Sequence, residues 1–150
     1  MLASLNKAKR KDAWTWIKGK LDMLHDKGFC HGDIIYEEKV NWGNVLLHND
    51  TFRFIDFGIA VDDIHKTVGH TMGVGTLGYQ APEQVSGDPT TKSDLYSVGV
   101  IAVELFTSIS PKELLTHRGV LDWQRKCLEL PIAWQRWLDR MLMAEPTGRF

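Results

Sequence analysis

Three polar residues, Asp33, Asn44 and Asp56, carry the side-chain types that a magnesium-phosphate site needs. Magnesium prefers hard oxygen ligands in octahedral geometry and takes one or two carboxylates, leaving its other positions to phosphate and water. Asp56 supplies an anionic oxygen, and Asn44 an amide oxygen that adds no second full charge. Asp33 can then orient an acceptor hydroxyl and receive its proton, a contribution of roughly 10²–10⁴-fold when such a group is well placed. Taken singly, each has a plainer reading: Asp56-Phe57-Gly58 as an acidic turn after a strand, His31-Gly32-Asp33 as a polar loop.

The chemistry depends on what brings these groups together. Over residues 13–25, Trp14, Ile17, Leu21 and Leu24 recur at separations of three and four, which predicts an amphipathic helix. Gly28 is expected to stop it, because glycine readily takes the left-handed conformation of a helix C-terminus. Asn44-Val45-Leu46-Leu47 and Phe52-Arg53-Phe54-Ile55, joined by His48-Asn49-Asp50, predict a small β-hairpin whose ends hold Asn44 and Asp56 near Asp33. Between Asp62 and Tyr79, periodicity gives way to repeated glycines and threonines, the pattern of a mobile surface loop. A helix capped by Asp94 is predicted to run to about Thr107 as the buried axis of the fold, because apolar residues surround much of it. Further helices are expected over 121–130 and 132–143, with Trp123, Trp134 and Trp137 as core or groove anchors. The expected fold is mainly α, with one small β-hairpin at the catalytic loop.

Composition excludes several classes. The 43% apolar and 25% charged fractions describe an ordinary globular chain. At 150 residues it can bury roughly 70% of the surface of its extended form. The longest apolar runs, such as 98–103, are too short to span a bilayer, so no membrane partner is expected. The basic start is not followed by an apolar stretch and cleavage site, which makes the cytoplasm the expected location. A net charge of −1 provides no global field toward nucleic acid. Lys7, Lys9, Arg10 and Lys11 lack the interleaved aromatics of a strand-binding groove. Cys30 and Cys127 have no zinc-ligand spacing and are too few for a disulfide framework.

A series of motifs in order makes the chain resemble the C-terminal lobe of the eukaryotic-type serine/threonine protein kinase family. They are His31-Gly32-Asp33-Ile34, Gly43-Asn44-Val45-Leu46-Leu47, Ile55-Asp56-Phe57-Gly58, Gly75-Thr76-Leu77-Gly78-Tyr79-Gln80-Ala81-Pro82-Glu83, Asp94-Leu95-Tyr96-Ser97-Val98-Gly99, and Pro146 with Arg149. The resemblance implies transfer of the ATP γ-phosphoryl group to a protein hydroxyl. It assigns Asp33 to the acceptor proton, Asn44 and Asp56 to Mg²⁺ and its ATP, and Thr76 to the approach to Asp33. It further implies a Glu83–Arg149 ion pair, a bond from Asp94 to the catalytic-loop backbone, and His31 and Phe57 packed beneath the site.

The sequence also departs from the family pattern. Residues 1–150 are expected to form a truncated kinase-like domain, a C-lobe with the N-lobe absent, because only twelve residues precede Ala13. A complementing protein chain is then an expected partner, besides a protein substrate. The interval from Asp33 to Asn44 is eleven residues, whereas the family's compact motif spaces them about five apart. Lys39, within that insertion, is a candidate for the family's lysine near the transferred phosphate. Gly32 stands where many regulated kinases have arginine, which removes the basic partner of a phosphorylated loop. Trp134, Trp137 and Leu138 are expected to leave apolar surface open for association. Two rivals to a kinase follow: a non-catalytic pseudokinase fragment acting as an interaction module, and, more distantly, a small-molecule phosphotransferase.

Overall fold

The computed structural model describes residue 19, residues 22–23, 25–27, 29–34, 45–48, 51–54 and 61–62, and residues 76–150. The expected helix over 13–25 is represented by helical backbone at Gly19, Asp22, Met23 and His25. Its apolar stripe and Gly28 lie outside the described residues, as do the glycines and threonines of 63–75.

The strands are β1 (Phe29–Cys30), β2 (Val45–His48), β3 (Thr51–Phe54) and β4 (Val61–Asp62). β2 pairs antiparallel with β3, Val45 opposite Phe54 and His48 opposite Thr51. β1 pairs antiparallel with β4, Phe29 opposite Asp62 and Cys30 opposite Val61. This corrects the expectation of one small hairpin at the catalytic loop. The strand that leads directly into His31–Ile34 is β1, and its partner β4 lies about thirty positions downstream and is not a hairpin neighbour. Strands of two residues carry no alternation for a sequence pattern to register, so this non-local pairing was invisible there.

The C-terminal part is helical: α1 (Pro82–Val85), α2 (Thr91–Thr107), α3 (Pro111–Leu114) and α4 (Ile132–Met141). α2 is the buried axis. Val98, Gly99, Val100, Ile101, Ala102 and Val103 are all buried, and a helix apolar on every side is stable only inside other structure. Each fully buried Val or Ile here contributes about 1.5–3 kcal/mol. Gly99 lets α4 approach, since a Cβ there would lie 3.0 Å from Leu142 Cδ2 and 3.1 Å from Met141 Cβ.

The N-terminus of α2 differs from the expectation. Thr90, not Asp94, is the cap: its hydroxyl accepts from the Lys92 N–H (3.2 Å), and Ser93 Oγ accepts from the Thr90 N–H (2.9 Å). This reciprocal box releases Asp94 to face another segment. At the other end Ser108 closes the helix in the left-handed conformation, φ 55°.

The helix expected over 121–130 reduces to one 3₁₀ turn, Gln124–Lys126. Leu121 instead bridges to Leu115, and the Asp122 N–H donates to the Leu114 carbonyl (2.9 Å), so the segment is held as an extended return. Trp123 and Cys127, four apart, are both buried. That spacing suits a helix face equally well, which is why the pattern misled. α4 stops at Met141, and its Leu138 is 0% exposed, so Leu138 belongs to the core and offers no open surface. Trp134 and Trp137 are half-buried in a ring series with Phe106 and Phe150, centroids 5.7–6.3 Å apart, edge-on from Phe106 to Trp137 and tilted between Trp137 and Phe150.

Candidate functional site

The loop after β1 begins with its own backbone amides. The His31 N–H donates to Asp94 Oδ2 (2.8 Å) and the Gly32 N–H to Asp94 Oδ1 (2.9 Å). Asp94 is 1% exposed, and a buried carboxylate persists only when its oxygens are satisfied. His25 Nε2 lies 3.0 Å from Oδ2, and the Cys30 thiol donates to the Thr90 carbonyl at 3.0 Å. One side chain on a rigid helix therefore holds two consecutive amides of an otherwise irregular loop. The bond expected from Asp94 to this backbone is present, and His31 is buried at 1% exposure beneath it. His31 Nδ1 in turn accepts from the Asp33 N–H at 3.4 Å.

Asp33 is half-buried. Its Oδ1 accepts from the Thr76 N–H (3.1 Å) and from the Thr76 hydroxyl (3.2 Å). The structure thus brings together two of the sequence-derived candidates across 43 positions of chain. The other three, Lys39, Asn44 and Asp56, lie outside the described residues, as does Phe57. Among the described residues no group of three or more His, Cys, Asp or Glu side chains is placed to hold a metal ion. Asn44 and Asp56 offer an amide oxygen and a carboxylate, a hard-oxygen donor set whose chemistry suits Mg²⁺.

Thr76 is held from its far side. The Tyr79 N–H donates to the Thr76 carbonyl (3.1 Å) in a tight turn, and Ser97 Oγ on α2 donates to the Tyr79 carbonyl (2.8 Å). Gly78 in this turn has φ 98°, and a Cβ would meet Pro111 Cβ at 3.1 Å and the Lys112 amide nitrogen at 3.2 Å. Both the positive φ and the close packing require glycine.

Glu83 and Arg149 form the expected ion pair in a bidentate arrangement, at 2.6 and 3.0 Å. Ser93 Oγ adds a 2.6 Å bond to Glu83 Oε1. The remaining guanidinium donors reach the carbonyls of Met143 (2.8 Å), Lys92 (3.0 Å) and Ala144 (3.1 Å). Burial pushes the Glu83 carboxyl up, but the hydrogen bonds from Arg149 and Ser93 outweigh it and hold the group below its ordinary value.

Sequence reasoning missed Gln84. This side chain is 4% exposed, donates from Nε2 to the Gly32 carbonyl (2.6 Å) and accepts at Oε1 from the Ala81 N–H (3.0 Å). The available signal was a glutamine three positions after the N-cap residue Ala81, the site of a capping-box acceptor. Among the described residues, no helix is long and apolar enough to cross a membrane.

Comparison with known proteins bears on this geometry. Residues 2–134 match the family model described as protein kinase domain. Serine/threonine-protein kinase PknA of Nostoc sp. is 34% identical over 141 residues, covering 87% of this chain and 24% of that protein. Proline-rich receptor-like protein kinase PERK7 of Arabidopsis thaliana is 38% identical, covering 70% of this chain and 15% of its own length. The EPD1-interacting receptor-like cytoplasmic serine/threonine-protein kinase of Nicotiana benthamiana is 36% identical, covering 76% and 27%. The chain therefore spans about a quarter or less of the length of these relatives.

Proposed function

The chain belongs to the protein kinase domain family, and from that premise we propose that it carries the proton-accepting loop and acceptor-positioning segment of a serine/threonine protein kinase. The observation that carries this reading is the double contact of Thr76 with one oxygen of Asp33, on a loop whose preceding amides are tied to Asp94. An acceptor group needs a carboxylate in fixed orientation, because proton transfer falls away quickly with misplacement.

In the proposed reaction the hydroxyl oxygen of a protein acceptor forms a bond to the γ-phosphorus of ATP. The bond to the bridging oxygen of ADP breaks, and the hydroxyl proton passes to the Asp33 carboxylate. Thr76 holds that carboxylate from the side of the acceptor segment. Asn44 and Asp56 would hold Mg²⁺, which when bound neutralises charge on the phosphates. Lys39 is assigned to the neighbourhood of the transferred phosphate. A protein carrying the accepting hydroxyl is the proposed partner, and the cytoplasm the proposed location.

One observation favours a second reading. The eleven-residue interval from Asp33 to Asn44 departs from the compact spacing of active kinases, and a non-catalytic interaction module would tolerate it. Purified chain incubated with Mg²⁺, labelled ATP and a generic protein acceptor is expected to transfer label, and Asp33→Ala to abolish the transfer while remaining folded. A folded wild-type chain that transfers nothing would overturn autonomous activity. Partner binding unaffected by Asp33→Ala would then support the interaction module.

A further inference from the structure

We propose that Gln84 is a positioning residue whose neutral amide locks the His31–Ile34 loop to the segment running from Thr76 into α1, and thereby sets the Asp33–Thr76 geometry. The proposal deepens the phosphotransfer reading and rests on it for its kinetic consequence.

A primary amide taken out of water costs free energy unless both its ends are bonded, and both ends of Gln84 are used. Nε2 reaches the Gly32 carbonyl across 52 positions of chain at 2.6 Å, while Oε1 takes the local Ala81 N–H at 3.0 Å. Gly32 has φ 79°, a conformation open to glycine without strain. Its N–H is bound by Asp94 on α2 and its carbonyl by Gln84 on α1. The peptide that joins Gly32 to Asp33 is therefore held by a side chain, one residue before the carboxylate that contacts Thr76.

The contacts close on themselves. Gln84 holds Gly32, Asp33 follows Gly32, Asp33 binds Thr76, and the chain runs through the Thr76–Tyr79 turn to Ala81, which Gln84 also holds. A closed circuit restricts each member more than an open series does, because no link can move without straining another. The Gln84 link within it is neutral. It requires neither a phosphate nor a cation at position 32, which is glycine, so this coupling is built in permanently.

The test uses the full chain with Gln84→Glu and Gln84→Met. Gln84→Glu keeps the shape and the acceptor for the Ala81 N–H. When ionised it sets a carboxylate oxygen against the Gly32 carbonyl; when protonated it donates again. Burial and the adjacent carbonyl both raise the pKa of the introduced group. Amide hydrogen exchange at Thr76 is expected to quicken by about tenfold to a hundredfold in Gln84→Met, the range set by a buried carbonyl losing its donor. Gln84→Glu is expected to behave likewise at about pH 8 and, once the intrinsic rate is divided out, to return toward wild type near about pH 5.5.

The acceleration should be confined to residues 31–33 and 76–81 and spare the centre of α2, which a merely structural loss would not. In the kinetic arm, kcat falls in the variants while KM for ATP is unchanged. Thr76 exchange in folded Gln84→Glu that matches wild type at all pH values overturns the proposal, as does acceleration spread evenly over α2. If Gln84→Met fails to fold, the pH dependence of Gln84→Glu decides. If the wild-type chain transfers no phosphate, the phosphotransfer reading fails while the exchange measurement still decides the role of Gln84.

Discussion

Arg149→Lys isolates geometry from charge in the Glu83–Arg149 network. The guanidinium has five N–H donors and an ammonium has three. In the folded chain the arginine makes two bonds to Glu83 and one each to the carbonyls of Met143, Lys92 and Ala144. Lysine keeps the positive charge, yet at least two of these five acceptors lose their donor. The arginine side chain is 0% exposed and that of Glu83 12%, so water replaces the lost bonds poorly. Hydrogen bonds involving a charged group contribute about 1.5–3 kcal/mol each, and two of them sum to about 3 kcal/mol at the lower bound. A domain of this size is stable by about 5–15 kcal/mol in total, so the loss is a large fraction.

Urea unfolding followed by the fluorescence of the six tryptophans reads the effect. With a slope of about 2 kcal/mol per molar, the midpoint should fall by about 1.5 M. A midpoint shift under about 0.3 M at unchanged slope is incompatible with the loss of two charge-assisted bonds. The pair would then behave as an exposed ion pair does, worth about 0–1 kcal/mol, and charge alone would account for its contribution.

The same network has a pH signature. The Glu83 carboxyl lies below its ordinary value of 4.5 in the folded chain, so the unfolded chain binds a proton first as pH falls; the stabilisation is present above that ordinary value and lost as pH drops through the folded one. Glu83→Gln should remove this contribution, giving a stability curve that is lower at neutral pH and flatter below about pH 4.5, measured by urea midpoints across pH. Gly99→Ala places a Cβ 3.0 Å from Leu142 Cδ2 and should cost about 1–3 kcal/mol by forcing α2 and α4 apart, read as a lowered thermal midpoint; an unchanged midpoint would mean the Leu142 side chain gives way freely. Burial pushes the Cys127 thiol above its ordinary 9.0, so alkylation at about pH 8 should be much slower in the native chain than in urea, and equal labelling rates by mass spectrometry would contradict the packing.

What the sequence disclosed depended on whether the signal was local or motif-borne. α2 was legible because its apolar residues are contiguous and abundant, and Glu83, Arg149, Asp94, Asp33 and Thr76 because they stand in ordered motifs. The thirty-position pairing of β1 with β4 carries no local pattern. The segment around Trp123 and Cys127 satisfied a helical spacing, but the Leu115–Leu121 bridge holds its start and only the single 3₁₀ turn Gln124–Lys126 forms between the two. Gln84 was overlooked because it stands just past the last residue of its motif and its bond to the Gly32 carbonyl crosses 52 positions, which no local pattern records. Leu138 was misjudged for a related reason: periodicity locates a face, but what covers that face is decided by the contact of α4 with α2.

The candidate site takes its order from the first turns of α2 rather than from its own loops. Ser93 donates to Glu83, Asp94 accepts from His31 and Gly32, and Ser97 donates to the Tyr79 carbonyl. Ser93 and Ser97 are one helical turn apart on one side, and a helix rises only 1.5 Å per residue, so these side chains diverge from a small, rigid base. Each is buried, and each would be costly there without its partner. The burial that fixes α2 therefore also fixes the separations among the loop of Asp33, the turn of Thr76 and the helix of Glu83. Irregular segments gain positional accuracy in this way only when their anchors share one rigid element, because anchors on separate loops would let errors accumulate between them.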